Sequence, residues 1–185
     1  MIKWSIVISY FFFIVSCFGP SQSYPTLQQI AFVSSRDGNF EIYSMDINGF
    51  NQINLSQNGA RDKYPQFSPD GSKLVFASDR EGDYDIFIMT LDWYGGYIRY
   101  KGIELINLSN QVGIDLYPEF SPTGFEIVFE SLQNDNYEIF SVDTLGNNRS
   151  NLTQSIGQDR KPKFSSNGQH IVFWSNRDGN DEIYI

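Results

Sequence analysis

A sequence pattern that occurs four times along the chain constrains its fold more than any other feature. Each copy contains an Ile/Leu-Val/Ala-Phe-x-Ser segment that is followed by Asp/Glu-Ile-Tyr/Phe. The central residues of the four copies are Phe32, Phe76, Phe129 and Phe173, with spacings of 44, 53 and 44 residues. The middle spacing is therefore the same repeat with nine extra residues. Repeats of roughly this length indicate an array of similar units that stack on one another.

Each repeat divides into four short strands that are separated by turn residues. The first strand carries Tyr/Lys-Pro-x-Phe, as in residues 64–67, 117–120 and 161–164. A turn such as Ser68-Pro-Asp-Gly71 follows it, and Pro at the second position with Gly at the fourth fits a type I turn. The second strand holds the central phenylalanine, and an Asp-Gly pair such as Asp37-Gly38 predicts the next hairpin. After residue 26 no segment shows the 3.6-residue periodicity of a helix.

The fourth strand ends in Asn-Leu-Ser or in Asn-Leu-Thr, a tripeptide that matches the N-glycosylation sequon. Three of the four sequon matches occupy this one repeat position, namely Asn54, Asn107 and Asn151, while Asn148 lies beside the third. A structural motif at the strand end explains this regularity better than selection for sugar attachment.

Four antiparallel strands in each period of about 40 to 45 residues are typical of a β-propeller blade. A single sheet of this kind leaves an apolar face in water, and packing blade against blade covers it. We therefore predict an all-β fold with repeats at about 30–71, 72–124, 125–168 and 169–185, and with the central phenylalanines between neighbouring blades.

The pattern Pro-x-Phe-Ser-Pro-Asp-Gly, followed by Ile/Leu-Val-Phe-x-Ser and Asp/Glu-Ile-Tyr/Phe, resembles the WD40-like PD40 repeat of the TolB propeller family. The resemblance covers about residues 30–185, and the Gly-His and Trp-Asp pairs of true WD40 repeats are missing. It implies a propeller of a type found in periplasmic protein-binding domains, in envelope lipoproteins and in front of prolyl-oligopeptidase-type peptidases.

The number of strands predicts a propeller that does not close. The first repeat lacks the Pro-x-Phe strand, and the last repeat stops at Ile185 after its third strand. The repeats then contain three, four, four and three strands, which is about three and a half blades. Residues 182–185 would form an unpaired apolar edge, which is an aggregation hazard. We expect a part of a longer propeller, with an open arc and closure by oligomerisation as the alternatives.

The N-terminus has the pattern of a bacterial lipoprotein signal peptide. Lys3 precedes an apolar run from Trp4 to Val15, which is shorter than the roughly 20 residues that a membrane-spanning helix needs. The run ends in Ile14-Val-Ser-Cys17, which resembles the lipobox and implies cleavage before an acylated Cys17. We predict a signal peptide at 1–16 and a tether at 17–29. The alternative is an ordinary signal peptide that is cleaved near Ser16 or Ser23.

Charge and motif content argue against several other functions. The chain has 13 Lys and Arg against 22 Asp and Glu, and a net charge of −9 disfavours nucleic acid as a partner. The sequence has no Gly-x-Ser-x-Gly elbow, no His-Glu-x-x-His motif and no cysteine cluster, and His170 is the only histidine. We therefore predict no catalytic residue, no metal and no cofactor. Paired carboxylates keep a carbohydrate-cleaving propeller as an alternative.

An aspartate precedes each of the three repeated prolines by three positions, at Asp62, Asp115 and Asp159. If the Pro-x-Phe strand is innermost, as the resemblance implies, these carboxylates gather near one mouth of the axial channel. Such a ring would bind a cation or the basic segment of a partner. The alternative is that each carboxylate accepts hydrogen bonds from its own loop.

The nine-residue insertion, within residues 91–102, lengthens the hairpin between the third and fourth strands of the second blade. Gly95-Gly96 is its predicted tip. The hairpin carries residue types that are enriched at binding hot spots, namely Trp93, Tyr94, Tyr97, Arg99 and Tyr100. These side chains form a candidate recognition surface for a protein or a sugar, or they pair across the strands.

Together these features predict a non-catalytic, lipid-anchored binding scaffold of the bacterial cell envelope, facing the periplasm or the cell surface. Its partner would be an envelope protein, with a glycan as the alternative. Two other functions remain open: the front propeller of a prolyl-oligopeptidase-type peptidase whose hydrolase lies beyond residue 185, and a carbohydrate-binding or carbohydrate-cleaving propeller.

Overall fold

The computed structural model describes residues 29–94 and 97–185, and within these ranges the chain is built from 14 β-strands without a helix. The strands are β1 (Gln29–Ser34), β2 (Glu41–Asp46), β3 (Ile53–Asn54), β4 (Asp62–Phe67), β5 (Lys73–Ser78), β6 (Asp85–Tyr94), β7 (Tyr97–Asn107), β8 (Ile114–Phe120), β9 (Glu126–Gln133), β10 (Asn136–Asp143), β11 (Ser150–Asn151), β12 (Asp159–Phe164), β13 (Ile171–Ser175) and β14 (Glu182–Tyr184). The all-β class is thereby confirmed.

The strands form four antiparallel sheets, which we number as blades in chain order. Blade 1 has the order β1-β2-β3, blade 2 β4-β5-β6-β7, blade 3 β8-β9-β10-β11 and blade 4 β12-β13-β14. The predicted division into three, four, four and three strands is confirmed. Strand β8 contacts both β4 and β12, so the Pro-x-Phe strands of successive blades lie side by side. We call β4, β8 and β12 the inner strands.

Apolar side chains fill the spaces between the blades, as the repeat predicts. Phe76 and Phe129 are completely buried, and Phe32 and Phe173 are buried as well. Phe76 packs with Ile42 of blade 1, whereas Phe129 packs with residues of blade 2. Burying a side chain of this size stabilises a fold by about 1.5–3 kcal/mol, so these contacts explain why the blades stack.

The Asn-Leu-Ser/Thr motif closes the outer edge of blades 1, 2 and 3. The Ser56 hydroxyl donates to a carboxylate oxygen of Glu41 at 2.6 Å and accepts the backbone N–H of Ile42 at 2.9 Å. The Asn54 side-chain oxygen accepts the N–H of Ser56 at 3.2 Å. The same hydroxyl-to-acid contacts recur in blades 2 and 3, between Ser109 and Asp85 and between Thr153 and Glu138. The sequon-like tripeptide is thus a structural motif.

The insertion extends β6 and β7 into a long hairpin, as predicted, and Tyr94 pairs with Tyr97 at its end. The predicted signal peptide, Cys17 and nearly all of the predicted tether lie outside the described residues. Nowhere in residues 29–94 and 97–185 is there a helix long and apolar enough to cross a membrane.

Candidate binding surface on the inner strands

The three predicted channel-mouth aspartates are fully buried and lie beside arginines. In blade 2 the Arg80 Nη2 atom lies 3.0 Å from Oδ1 of Asp62, and in blade 4 the Arg177 Nη2 atom lies 2.8 Å from Oδ2 of Asp159. Both arginines come from the turn that follows the second strand of the same blade. The structure therefore gives these carboxylates internal partners, and their role in binding a cation or a basic segment stays a prediction.

These arginines also cover the aromatic pair at the centre of their blade. The Arg80 guanidinium carbon lies 5.2 Å from the ring centre of Phe76 and 4.7 Å from that of Phe87. Such a position over two ring faces adds a cation–π attraction to the ion pair. Aspartate, arginine and aromatic pair thus form one repeated unit that connects the inner strand with the next two strands of its blade.

Blade 3 has the same unit, but its arginine comes from a different loop of the blade. Gln133 occupies the turn position of Arg80, and Arg149 reaches in from the loop before β11. Its Nη2 atom lies 3.7 Å from Oδ1 of Asp115, a longer separation than in the other two blades. Neither carboxylate oxygen of Asp115 has a hydrogen-bond partner in the described part of the chain. Burial raises the pKa of Asp115, although the nearby hydroxyls of Ser131 and Ser109 and the charge of Arg149 oppose the shift.

Each inner strand has a bulge at the residue before its proline. Tyr64, Tyr117 and Lys161 have positive φ angles of 56°, 53° and 53°, and the strand register shifts at each of them. A residue before proline favours an extended conformation, and left-handed backbone outside glycine is held at a cost of about 1–3 kcal/mol. Bulges re-aim side chains, and strained backbone of this kind is a reason to test the surface for a function.

The bulge side chains and their neighbours form a continuous surface, which we call the inner surface: Lys63, Tyr64, Tyr117, Arg160 and Lys161. The rings of Tyr64 and Tyr117 stack with centres 4.1 Å apart and planes at 30°. The Lys161 Nζ atom lies 5.5 Å from the ring centre of Tyr117, which continues the row from blade 2 through blade 3 to blade 4.

A buried glutamate fixes the blade 4 end of the inner surface. Glu130 is fully buried, and its Oε1 atom lies 2.9 Å from Nη2 of Arg160. Its other oxygen accepts the backbone N–H of Lys161 at 2.9 Å, so the carboxylate holds the bulge itself. The Arg160 guanidinium also lies over the ring of Tyr137, at 4.1 Å from its centre. The sequence prediction missed Glu130, although its position in the repeat is apolar in blades 1 and 2.

The inner surface has positive charge although the protein as a whole has a net charge of −9. Lys63 lies 5.2 Å from the ring of Phe40 and 5.3 Å from that of Tyr84. Burial, together with a hydrogen bond to Tyr117, raises the pKa of Tyr64, which is therefore neutral at physiological pH. The surface thus offers stacked neutral rings flanked by cations.

The candidate recognition hairpin is only partly described. Trp93 is half-buried against the apolar cluster between blades 1 and 2, and its Nε1–H donates to the carbonyl oxygen of Gly71 at 2.9 Å. The indole therefore packs and donates a hydrogen bond within the fold. The side chains of Tyr94, Tyr97, Arg99 and Tyr100 lie outside the described part, and the recognition role of the hairpin stays a prediction.

Two further observations concern possible metal ligands and the single histidine, in the described part of the chain. No three His, Cys, Asp or Glu side chains there are grouped so that they would hold a metal ion. His170 is exposed and lines a shallow cleft between blades 3 and 4 together with Phe173 and Arg177.

Antiparallel sheets of three or four strands that stack along adjacent inner strands define a β-propeller. The family model described as the TolB beta propeller domain, PD40, matches residues 11–103 and 101–185. The chain belongs to this family.

Several known proteins are similar to the chain in sequence or in fold. The chain is 46% identical over 50 residues to the Tol-Pal system protein TolB of Geobacter sulfurreducens, which is 27% of this chain and 12% of that protein. The structure of putative TolB from Agrobacterium tumefaciens matches with a TM-score of 0.68 and 24% identity, over 82% of this chain and 52% of that one. A Mycobacterium tuberculosis puromycin-hydrolyzing peptidase matches with a TM-score of 0.70 and 12% identity, over 94% and 28%.

The two solved structures share the fold with this chain, at identities too low to carry an activity across. The chain also spans about half of the putative TolB structure and a smaller part of the other two proteins. Any function of those whole proteins is therefore a proposal for this chain.

Proposed function

We propose that the chain is a non-catalytic β-propeller of the bacterial cell envelope, anchored by lipid and binding a protein partner through its inner surface. The observation that carries the proposal is the inner surface itself, where Tyr64, Tyr117 and Lys161 are held in strained bulges beside cations. Aromatic residues and arginine are the residue types that contribute most at protein interfaces. Membership of the TolB propeller family and similarity to a protein of the Tol-Pal system support an envelope role.

The lipid anchor is supported by the lipobox-like tetrapeptide that ends at Cys17. An acidic protein is repelled by anionic lipid headgroups, so acyl chains would supply the attachment. Labelling of cells with a fatty-acid analogue should mark the wild-type chain and should leave Cys17→Ala unmarked. Labelling that survives this substitution would contradict the anchor.

The binding role is tested by site-specific cross-linking in cells that produce the full chain. A photoreactive phenylalanine analogue replaces Tyr117 in one variant and Phe50, a 70% exposed residue of the β2–β3 loop, in the control. We expect one discrete cross-linked partner from position 117 and none from position 50. The purified partner should then bind the wild-type chain at least tenfold more tightly than Tyr117→Ala. Equal products at both positions, or a Kd unchanged by Tyr117→Ala, would contradict the proposal.

A second candidate function is the front domain of a peptidase, which the fold shared with the puromycin-hydrolyzing peptidase favours. The DNA beyond codon 185 separates the two candidates. A downstream Gly-x-Ser-x-Gly motif followed by Asp and His would favour the peptidase, because that order of residues builds an α/β-hydrolase triad.

A further inference from the structure

We infer that the inner surface binds an extended acidic peptide segment, whose carboxylates meet Lys63 and Lys161 while its apolar atoms lie on the tyrosine stack. This inference rests on the proposed function and names the chemistry of the partner. It reverses the charge expected from the sequence, where the aspartates of the inner strands suggested a basic partner.

The first argument is that two lysines of the inner surface have no anionic partner among the described residues. Neither Lys63 nor Lys161 makes an ion pair or a side-chain hydrogen bond with any described residue, although both lie against aromatic rings. Six other cationic side chains do have carboxylate partners, namely Arg61, Arg80, Arg149, Arg160, Lys163 and Arg177. In a chain with 22 acidic and 13 basic residues, these two lysines, one towards each end of the tyrosine stack, leave the inner surface with uncompensated positive charge.

The second argument is that the nearby carboxylates are buried beside arginines of the chain itself. Asp62, Asp115 and Asp159 are fully buried beside their own arginines, and Glu130 is fully buried against Arg160. A buried carboxylate beside an arginine repels an incoming anion less than an exposed, free one would, and Asp115 is the least compensated of the four. The groups that a ligand would meet on this surface are therefore the ammonium groups and the tyrosine rings.

The third argument concerns the shape of the ligand. The bulge residues occupy the same position in three successive blades, one residue to a blade, so they form a row. A row of stacked rings with a cation towards each end fits a linear chain better than a compact molecule. An extended peptide places side chains at regular intervals, and alternating acidic and apolar residues would match both kinds of contact.

The strength of the interaction follows from the exposure of its charges. Lys161 is exposed and Lys63 is half-buried, so each charge pair is partly screened by water and salt. Charge complementarity of this kind contributes more to specificity and association rate than to affinity. We therefore expect binding in the micromolar range that weakens as salt rises.

The experiment uses the full purified chain and a fluorescein-labelled peptide, (Glu-Gly-Asp-Leu)3, with (Gln-Gly-Asn-Leu)3 as the uncharged match. Fluorescence anisotropy at low and high salt gives the Kd. We expect the acidic peptide to bind at least tenfold more tightly than its amide counterpart, and the difference to shrink at high salt. Lys161→Gln and Lys63→Gln should each weaken binding of the acidic peptide about five- to tenfold.

Lys163→Gln is the matched control, because Lys163 lies two residues further along the same strand and is 61% exposed but pairs with Glu119. It removes the same charge and should leave the Kd within twofold of wild type. Melting temperatures of all variants verify that they are folded.

Three outcomes would overturn the inference. The first is equal binding of the two peptides, and the second is an equal loss of affinity in Lys161→Gln and Lys163→Gln. The third is tighter binding of oligogalacturonate, an acidic sugar polymer that represents the glycan alternative, than of the acidic peptide. The proposed function would survive any of these if the cross-link from position 117 still identified a protein partner. A missing cross-link would instead contradict the proposed function itself.

Discussion

The interface between blades 2 and 3 and the interface between blades 3 and 4 come from the same repeat but have different chemistry. The first buries nine apolar residues in one cluster, including Phe129, Ile86 and Ile127. The second buries only three, Val128, Ile139 and Phe173. Since apolar burial is the main force that holds stacked sheets together, the second interface needs another source of stability.

A single repeat position accounts for much of the difference. Ala77 of blade 2 faces blade 3 in the apolar cluster, and the equivalent residue of blade 3 is Glu130, which pairs with Arg160 of blade 4. One polar contact is common to both interfaces. Gln66 accepts the N–H of Phe120 at 2.5 Å, and Glu119 accepts that of Phe164 at 3.0 Å. The comparison shows that the stacking geometry is kept while the contact between the blades changes from apolar to ionic.

The largest expected effect on stability comes from replacing the central phenylalanines of the repeats. Phe129→Ala should lower the free energy of unfolding by about 4 kcal/mol, because it leaves a cavity in the larger cluster. Phe173→Ala should cost about 2 kcal/mol, because Phe173 is 8% exposed and has few buried apolar neighbours. Urea denaturation followed by tryptophan fluorescence measures both values. Equal losses would contradict the view that the two interfaces differ in apolar stabilisation.

The ionic contact is tested by Arg160→Met. This change leaves Glu130 fully buried without its partner, so the free energy of unfolding should fall by about 3 kcal/mol. The double variant Glu130→Ala/Arg160→Met should recover most of the loss, because no buried charge then remains. Urea denaturation of the two single variants and the double variant gives the coupling between the residues.

Arg61→Met is the control for this cycle. Arg61 pairs with Asp79 but is 60% exposed, so its removal should change stability by less than about 1 kcal/mol. A loss as large as that of Arg160→Met would mean that burial of the partner does not decide the outcome. A double variant no more stable than Arg160→Met would argue that the methionine disturbs packing by itself.

The fold could be predicted in detail because its signals are local. Turns such as Ser68-Pro-Asp-Gly71 lie between apolar runs, and the spacing of Phe32, Phe76 and Phe129 sets the period. These features require only neighbours in sequence, so they predicted 14 strands and their division among the blades. The buried phenylalanines follow from the same pattern, since each strand has one face towards the next blade.

The contacts of the inner strands could not be predicted in the same way, because they depend on side chains that are distant in sequence. Asp115 is covered by Arg149 from a loop of the outer strands, and no local pattern indicates that pairing. The left-handed backbone at Tyr64 runs against the usual preference of a residue before proline. The repeated Tyr-Pro pair was visible in the sequence as a strand, and its bulge appears only once β4 pairs with β5.

The smallest expected effect is the difference in stability loss between substitutions of two aspartates that occupy the same repeat position in blades 3 and 4. Asp159 accepts hydrogen bonds from Ser175 at 2.5 Å and from Arg177 at 2.8 Å, whereas Arg149 lies 3.7 Å from Asp115. Asp159→Asn should therefore cost about 1–2 kcal/mol at pH 7, because it weakens two hydrogen bonds to a charged group. Asp115→Asn should cost less than about 0.5 kcal/mol, because its charge is poorly compensated.

The pH dependence of this difference gives the sharper test. Burial raises the pKa of Asp115 in the folded chain, so its neutral form favours folding. That contribution is fully present below the pKa of the unfolded chain and is lost as the pH rises through the raised value in the folded chain. The stability of Asp115→Asn relative to wild type should then increase from pH 4 to pH 7, as measured by urea denaturation across this range. If the difference in stability between Asp115→Asn and wild type does not change with pH, Arg149 compensates the Asp115 charge as fully as Arg177 compensates that of Asp159.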